Sequence, residues 1–114
     1  MSVSLIRCLL AVLALSESFD VVASKDVAQL LGVKRPTVHR SLEVLLGKGL
    51  IQKEPYGDIH LTEAGRALAE KMERQRDDLS LHFSKQYGLS TRESVNAAFA
   101  LMKVLSEESI ALIH

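Results

Sequence analysis

The stretch GVKRPTVHRSLEVLLGKGLI, residues 32–51, decides how the rest of the chain is read. Val38, Leu42, Leu45 and Leu46 recur at helical spacing, which predicts a helix over residues 34–46 with one buried face. Pro36 sits in its first turn, where a missing backbone donor costs nothing and a fixed φ helps. Lys34, Arg35, Thr37, His39 and Arg40 all fall off the apolar face, at the start of the helix. A helix meant only for packing has no use for that arrangement. Upstream, residues 25–31 form a shorter helix with Val27, Ala28, Leu30 and Leu31 turned inward. Gly32 takes the left-handed position that ends it, and Val33 fills the turn.

Working outward, Gly47 and Gly49 stop the cationic helix. Residues 50–54 and 59–61 read as two short strands joined by the tight turn PYGD. Thr62 caps a long helix reaching about residue 87, with Leu68, Met72 and Leu79 as its apolar stripe, and Gly88 ends it. Ser90 and Glu93 form a capping box for a last helix through residue 105, with a possible extension to residue 114. Before the quoted stretch, Ser4 is placed to cap a first, largely apolar helix to about residue 16. Residues 20–23 then form a brief strand or extended entry, and Ser24 caps the helix that follows. Helix, helix, glycine turn, helix and hairpin is the order of a winged helix-turn-helix, a mainly α fold. In that fold the third helix enters the DNA major groove by its N-terminal residues. The expected division is a DNA-binding domain over 1–62 and a linking and dimerisation segment over 63–114.

Composition agrees with one small folded domain carrying a helical extension. The chain has 114 residues, 47% of them apolar, and only eight glycines and prolines. A single cysteine excludes an intrachain disulfide framework and suits a reducing cytoplasm. The net charge is zero, but residues 24–53 hold six cations (Lys25, Lys34, Arg35, Arg40, Lys48 and Lys53) against Asp26 and Glu43. A local excess of this kind meets a polyanion while the acidic remainder stays away from it. CLLAVLAL after Arg7 has the look of a signal-peptide core, yet cleavage there would remove a helix that the next one needs. The expectation is therefore a cytoplasmic chain, with no run reaching the roughly 18 apolar residues of a membrane span. There is no glycine-rich phosphate loop, nucleophile grouping or paired-carboxylate cleft, so no enzyme is expected.

The runs DVAQLLGVKRPTVHRSLEVLLGKGLI and IHLTEAGRALAEKMERQR, followed by YGLSTRESVNAAFALMKVLSEES, resemble the diphtheria toxin repressor and manganese transport regulator (DtxR/MntR) family. The resemblance implies a winged-helix DNA-binding regulator acting as a homodimer on double-stranded DNA. Matched residue by residue, it places base-reading and methyl-contacting roles on Lys34, Pro36 and Arg40, with phosphate contacts near Thr37 and His39. The family's manganese or iron ligands fall on Arg76, Phe99, Met102 and Lys103, and close to Arg7. Cationic and aromatic side chains there offer a divalent ion no donor. No metal or other cofactor is therefore expected, and DNA binding is expected to be independent of the family's metal.

Several residues have a second reading. Arg76 either stands in for the cation by pairing with Asp77, Asp78 or Glu107, or is a solvated arginine on a polar helix face. Cys8 is either part of a redrawn metal or thiol site with His82 or Glu107, or a buried small hydrophobe. His39, His60, His82 and His114 lack ligand spacing. Val95, Ala98, Phe99, Met102 and Leu105, continued by Ile110, Leu112 and Ile113, give more apolar surface than a small winged helix covers. Val95, Phe99, Met102, Leu105 and Ile110 are accordingly expected at a dimer interface. Two alternatives to a DNA regulator of this kind remain: a winged-helix protein-interaction module that does not touch DNA, and a regulator sensing an unidentified ligand.

Overall fold

A computed structural model of the chain describes residues 1–105. The elements follow the predicted order: α1 (Val3–Ser18), α2 (Ser24–Leu31), α3 (Arg35–Gly47), β1 (Ile51–Lys53), β2 (Ile59–Leu61), α4 (Glu63–Tyr87) and α5 (Thr91–Val104). The chain divides into two compact units, one of Ser4–Glu70 and one of Met1–Val3 with the chain from Lys71 onward. The division falls inside α4, eight residues beyond the start of the second domain as read from sequence.

The first unit is the winged helix. Its core gathers α1 residues Leu9, Val12 and Leu13, Val27 of α2, Val38 and Leu45 of α3, and Ile51 and Ile59 of the hairpin, all 2% exposed or less. Fully burying each such side chain contributes roughly 1.5–3 kcal/mol. The turn between α2 and α3 is built as the glycine predicts. Gly32 takes φ +67°, its N–H donates to the Gln29 carbonyl, and the Val33 N–H reaches back to the Ala28 carbonyl at 3.1 Å. The last carbonyls of α2 are thereby satisfied, and the chain reverses tightly enough for α3 to pack on α2.

The hairpin pairs Ile51 with Leu61, Gln52 with His60 and Lys53 with Ile59 in antiparallel register. It is tied to both of its neighbours. The Ile59 N–H donates to the Val22 carbonyl at 2.9 Å, and the Leu50 N–H donates to the Leu45 carbonyl at 3.0 Å. At the far end Thr62 joins wing to helix: its Oγ1 donates to the Gly49 carbonyl at 2.7 Å and accepts the Gly65 N–H at 3.0 Å. The Thr62 N–H also donates to the Leu50 carbonyl at 3.1 Å. One threonine therefore caps α4 and anchors the loop that follows α3.

Several expectations shift. Ser4 lies inside α1 rather than at its cap. Ser24 is also helical. The cap residue is Ala23, whose N–H donates to the Asp26 carboxylate at 3.2 Å, so an acid in the first turn satisfies the cap residue's own donor while no side chain takes the serine hydroxyl's expected place. Residues 20–23 form no strand, although the Val22 carbonyl accepts a bond from β2. Strand β1 is shorter than expected at both ends. Leu30 and Leu46, expected inward, are 53% and 39% exposed. Each lies at the edge of its helix's buried arc, which Val27, Ala28 and Leu31 define in α2 and Val38, Ser41, Leu42 and Leu45 in α3.

In the second unit Leu79, Ala98, Phe99 and Met102 are buried, as is Ser94. The expected capping box opens α5: Ser90 Oγ accepts the Glu93 N–H at 3.1 Å, and the Glu93 carboxylate accepts the Ser90 N–H at 3.3 Å.

Candidate nucleic-acid interface

Lys34 is the N-terminal cap residue of α3, extended at φ −74°, ψ 149°, with Arg35 and Pro36 as the first two helical residues. The Thr37 and Val38 N–H groups both donate to the Lys34 carbonyl, at 3.1 and 3.3 Å. Val38, Leu42 and Leu45 anchor the helix from beneath. The opposite side is open: Lys34, Arg35, Pro36 and Arg40 are exposed, and Thr37 and His39 half-buried. The structure thus brings the six residues singled out from sequence onto one end and one side of a single helix. Among the described residues no carboxylate pairs with Lys34, Arg35 or Arg40. Arg40 Nη2 instead donates to Thr37 Oγ1, at 3.4 Å.

The arrangement suits a nucleic acid. Cations at a helix start neutralise phosphate, and short polar groups with an arginine fork reach base edges. The wing adds less. Its tip carries Glu54 and Asp58 around an 82% exposed Tyr56, with Lys53 just before. Two acids at the tip work against phosphate contact. Tyr56 was not singled out from sequence, and the turn motif around it gives no signal beyond the turn itself.

Residues 7–59 match the family model described as iron-dependent repressor, N-terminal DNA-binding domain. A transcriptional regulator MntR of Escherichia coli O6:H1 is 33% identical over 85 residues, covering 75% of this chain and 54% of that protein. The chain belongs to the DtxR/MntR family. An MntR of Salmonella typhimurium is 32% identical over the same length. The chain spans about half the length of the curated relatives it matches. Among solved structures, the manganese regulator SloR superposes with a TM-score of 0.85 at 21% identity, over 96% of this chain and 51% of that one. A hypothetical protein, SSo2273 from Sulfolobus solfataricus, gives 0.73 at 17% identity, over 99% of this chain and 86% of that one. At these identities the structural likeness shows the winged-helix fold.

Membership in a metal-dependent family makes the donor set of this DtxR/MntR member a test. Arg76, which the resemblance sets at a family ligand position, places Nε and Nη2 on Asp77 Oδ1 at 3.1 and 3.0 Å. Asp77 is 64% exposed, so the pair is solvated and contributes at most about 1 kcal/mol. Phe99 and Met102 are buried, and Lys103 and Arg7 are exposed. Of these five side chains only the Met102 thioether has a lone pair to offer, and thioethers suit soft ions rather than manganese or iron. The residues at these positions do not fit the family's metal. Among the described residues, no three His, Cys, Asp or Glu side chains gather where a metal ion would sit. Glu107 and Ile110 lie outside the described residues.

Cys8 is 1% exposed in α1, and burial pushes its thiol from 9.0 up to about 11. A thiol held protonated in this way is a poor ligand and a poor nucleophile. The folded state favours the protonated form, so Cys8 contributes its full stability below pH 9 and loses it as pH rises towards 11. Unfolding titrations between pH 8 and 11 are expected to show a steeper decline for the wild type than for Cys8→Ala. The difference should reach about 2 kcal/mol. Parallel curves would mean that the thiol is not shielded.

Proposed function

We propose that this chain is a cytoplasmic, homodimeric, sequence-specific DNA-binding regulator whose output is repression, and that it binds its operator without the metal its family uses. The observation that carries this reading is the cationic start of α3, with Lys34, Arg35 and Arg40 exposed and without a carboxylate partner among the described residues, over a buried Val38–Leu42–Leu45 anchor. Lys34 and Arg35 neutralise phosphates and give affinity, with a hydrogen bond to phosphate from His39. Arg40, with Pro36 and Thr37 beside it, gives sequence preference. Metal independence is supported by the donor set, since a guanidinium, an ammonium and a phenyl ring cannot ligate. Phe99 and Met102, expected at the dimer interface, are buried within the single chain, so dimerisation rests on half-buried Val95 of α5 and Leu105 just after it. Two copies place their recognition helices about 34 Å apart, one turn of duplex, and so match a palindromic operator.

The zero net charge and the acidic wing tip favour a second reading, a protein-interaction module. Fluorescence anisotropy on a duplex from the gene's own upstream region separates the two. Binding is expected in chelator, unchanged within a factor of two on adding Mn²⁺ or Fe²⁺, and falling steeply with salt. Binding only with metal would remove the claim of metal independence. No binding to that duplex or to a random pool would favour the interaction module.

A further inference from the structure

We propose that Thr37 is a positioning residue for Arg40, presetting its guanidinium to read a guanine in the operator. The inference rests on the proposed reading of α3 as the helix that enters the major groove. Side chains on a helix lean towards its N-terminus, so Arg40 folds back one turn and places its guanidinium beside residues 34–37, the end that meets DNA first. There Arg40 Nη2 donates to Thr37 Oγ1 at 3.4 Å. Thr37 is well suited to hold it. It is half-buried next to the fully packed Val38, and its β-branched side chain divides between two χ1 states in a helix, one of which presents the hydroxyl to Arg40.

The alternative partner is one turn the other way, where Glu43 is exposed on the same helix. A bond to that carboxylate would cancel the arginine's charge and aim it away from the groove. A bond to a neutral hydroxyl fixes direction and keeps the charge. It also leaves most of the five guanidinium N–H donors unused, and a guanine O6/N7 edge takes two of them in a bidentate fork. A long, exposed arginine otherwise spends its time among phosphates and rotamers, so the tether acts on preference between bases more than on affinity.

The test is selection of duplexes from a random pool with the wild type. The selected duplex and versions with each guanine pair replaced are then titrated against the wild type, Thr37→Val and Thr37→Ser. Thr37→Val keeps the shape and removes the acceptor, and Thr37→Ser restores it. Thr37→Val is expected to lose about fivefold of the discrimination at one guanine, the worth of one ordinary hydrogen bond, with its salt slope and random-duplex affinity unchanged. Thr37→Ser should keep most of that discrimination, and melting temperatures should match for all three. Undiminished discrimination in Thr37→Val overturns the proposal. So does equal weakening on every duplex, which would make Thr37 a phosphate contact, and so does a selected site with no guanine. A wild type that selects no sequence brings down the DNA reading of α3 itself, and this inference with it.

Discussion

Gly65→Ala is expected to destabilise the fold by about 2–3 kcal/mol, the upper range for overpacking. The melting temperature should fall by roughly 10 °C for a chain of this size. Helix propensity alone points the other way, because Gly65 lies in the first turn of α4 and alanine is the better helix former by about 1 kcal/mol. Sterics reverse the sign. A Cβ at position 65 would overlap the carbonyl carbon and oxygen of Leu50. That carbonyl has little room to move: it accepts the Thr62 N–H, while the Leu50 N–H is bonded to Leu45 and the neighbouring Gly49 carbonyl takes the Thr62 hydroxyl. Relief of the overlap must stretch or break one of these bonds, and with it the link between α3, the wing and α4. Gly47→Ala is the control, since a Cβ there meets nothing within 4 Å and φ is not positive. It should be neutral or stabilising by a few tenths of a kcal/mol. Thermal and urea unfolding of the two variants measure the contrast, and equal stability would mean that the helix does not approach Leu50 so closely.

Local signals in the sequence were strong wherever a residue type has one structural use. Gly32, Pro36, Thr62, Gly88 and the Ser90–Glu93 pair punctuate the helices as their chemistry requires. They were enough to order the elements into a winged helix. Periodicity was less informative at the edges of a helix face. Leu30 and Leu46 lie roughly a quarter turn from the centre of the buried arc, where apolar character alone does not decide burial, and both face outward. Capping failed where two residues competed for it: Ser24 follows the β-branched run and looks like the cap, yet Asp26 reaches back to the Ala23 N–H. The need for glycine at position 65 was not legible either. The approach of Leu50 depends on how the wing folds back on α4, which is a tertiary fact.

The candidate interface was legible residue by residue because exposure on α3 follows from the buried phase of Val38, Leu42 and Leu45. What the sequence withheld was the relation between its parts. Threonine and arginine three apart on a helix are common neighbours, and nothing in their spacing says whether Arg40 turns towards Thr37 or towards Glu43. Arg76 is the converse case. The resemblance set it at a ligand position, and its guanidinium meets Asp77, one of the acids named for it, in a pair whose arginine is 29% and whose aspartate is 64% exposed.

Arg40→Ala is expected to lower discrimination at one operator base pair by about 10- to 100-fold, the usual worth of a bidentate arginine–guanine contact. Affinity for random duplex should fall much less. The size of the effect follows from how few groups on α3 can read a base edge. Lys34 is a flexible point charge, Pro36 has no hydrogen-bonding group beyond its own carbonyl, and His39 is half-buried, so the arginine fork carries most of the hydrogen-bonded readout. The loss should be local, because phosphate contacts from Lys34 and Arg35 still set register and orientation. Two measurements on the same duplexes decide the role. The ratio of Kd values between the selected site and its single-pair replacements reports base reading, and the slope of log Kd against log salt reports phosphate neutralisation. A flattened ratio with an unchanged slope assigns Arg40 to a base. A slope smaller by about one, with weakening shared by every duplex, assigns it to a phosphate and leaves this helix without its principal reader. Charge alone does not account for the first outcome: Arg40→Lys keeps the cation but not the planar fork, so it should restore the salt slope and random-duplex affinity while leaving most of the discrimination lost.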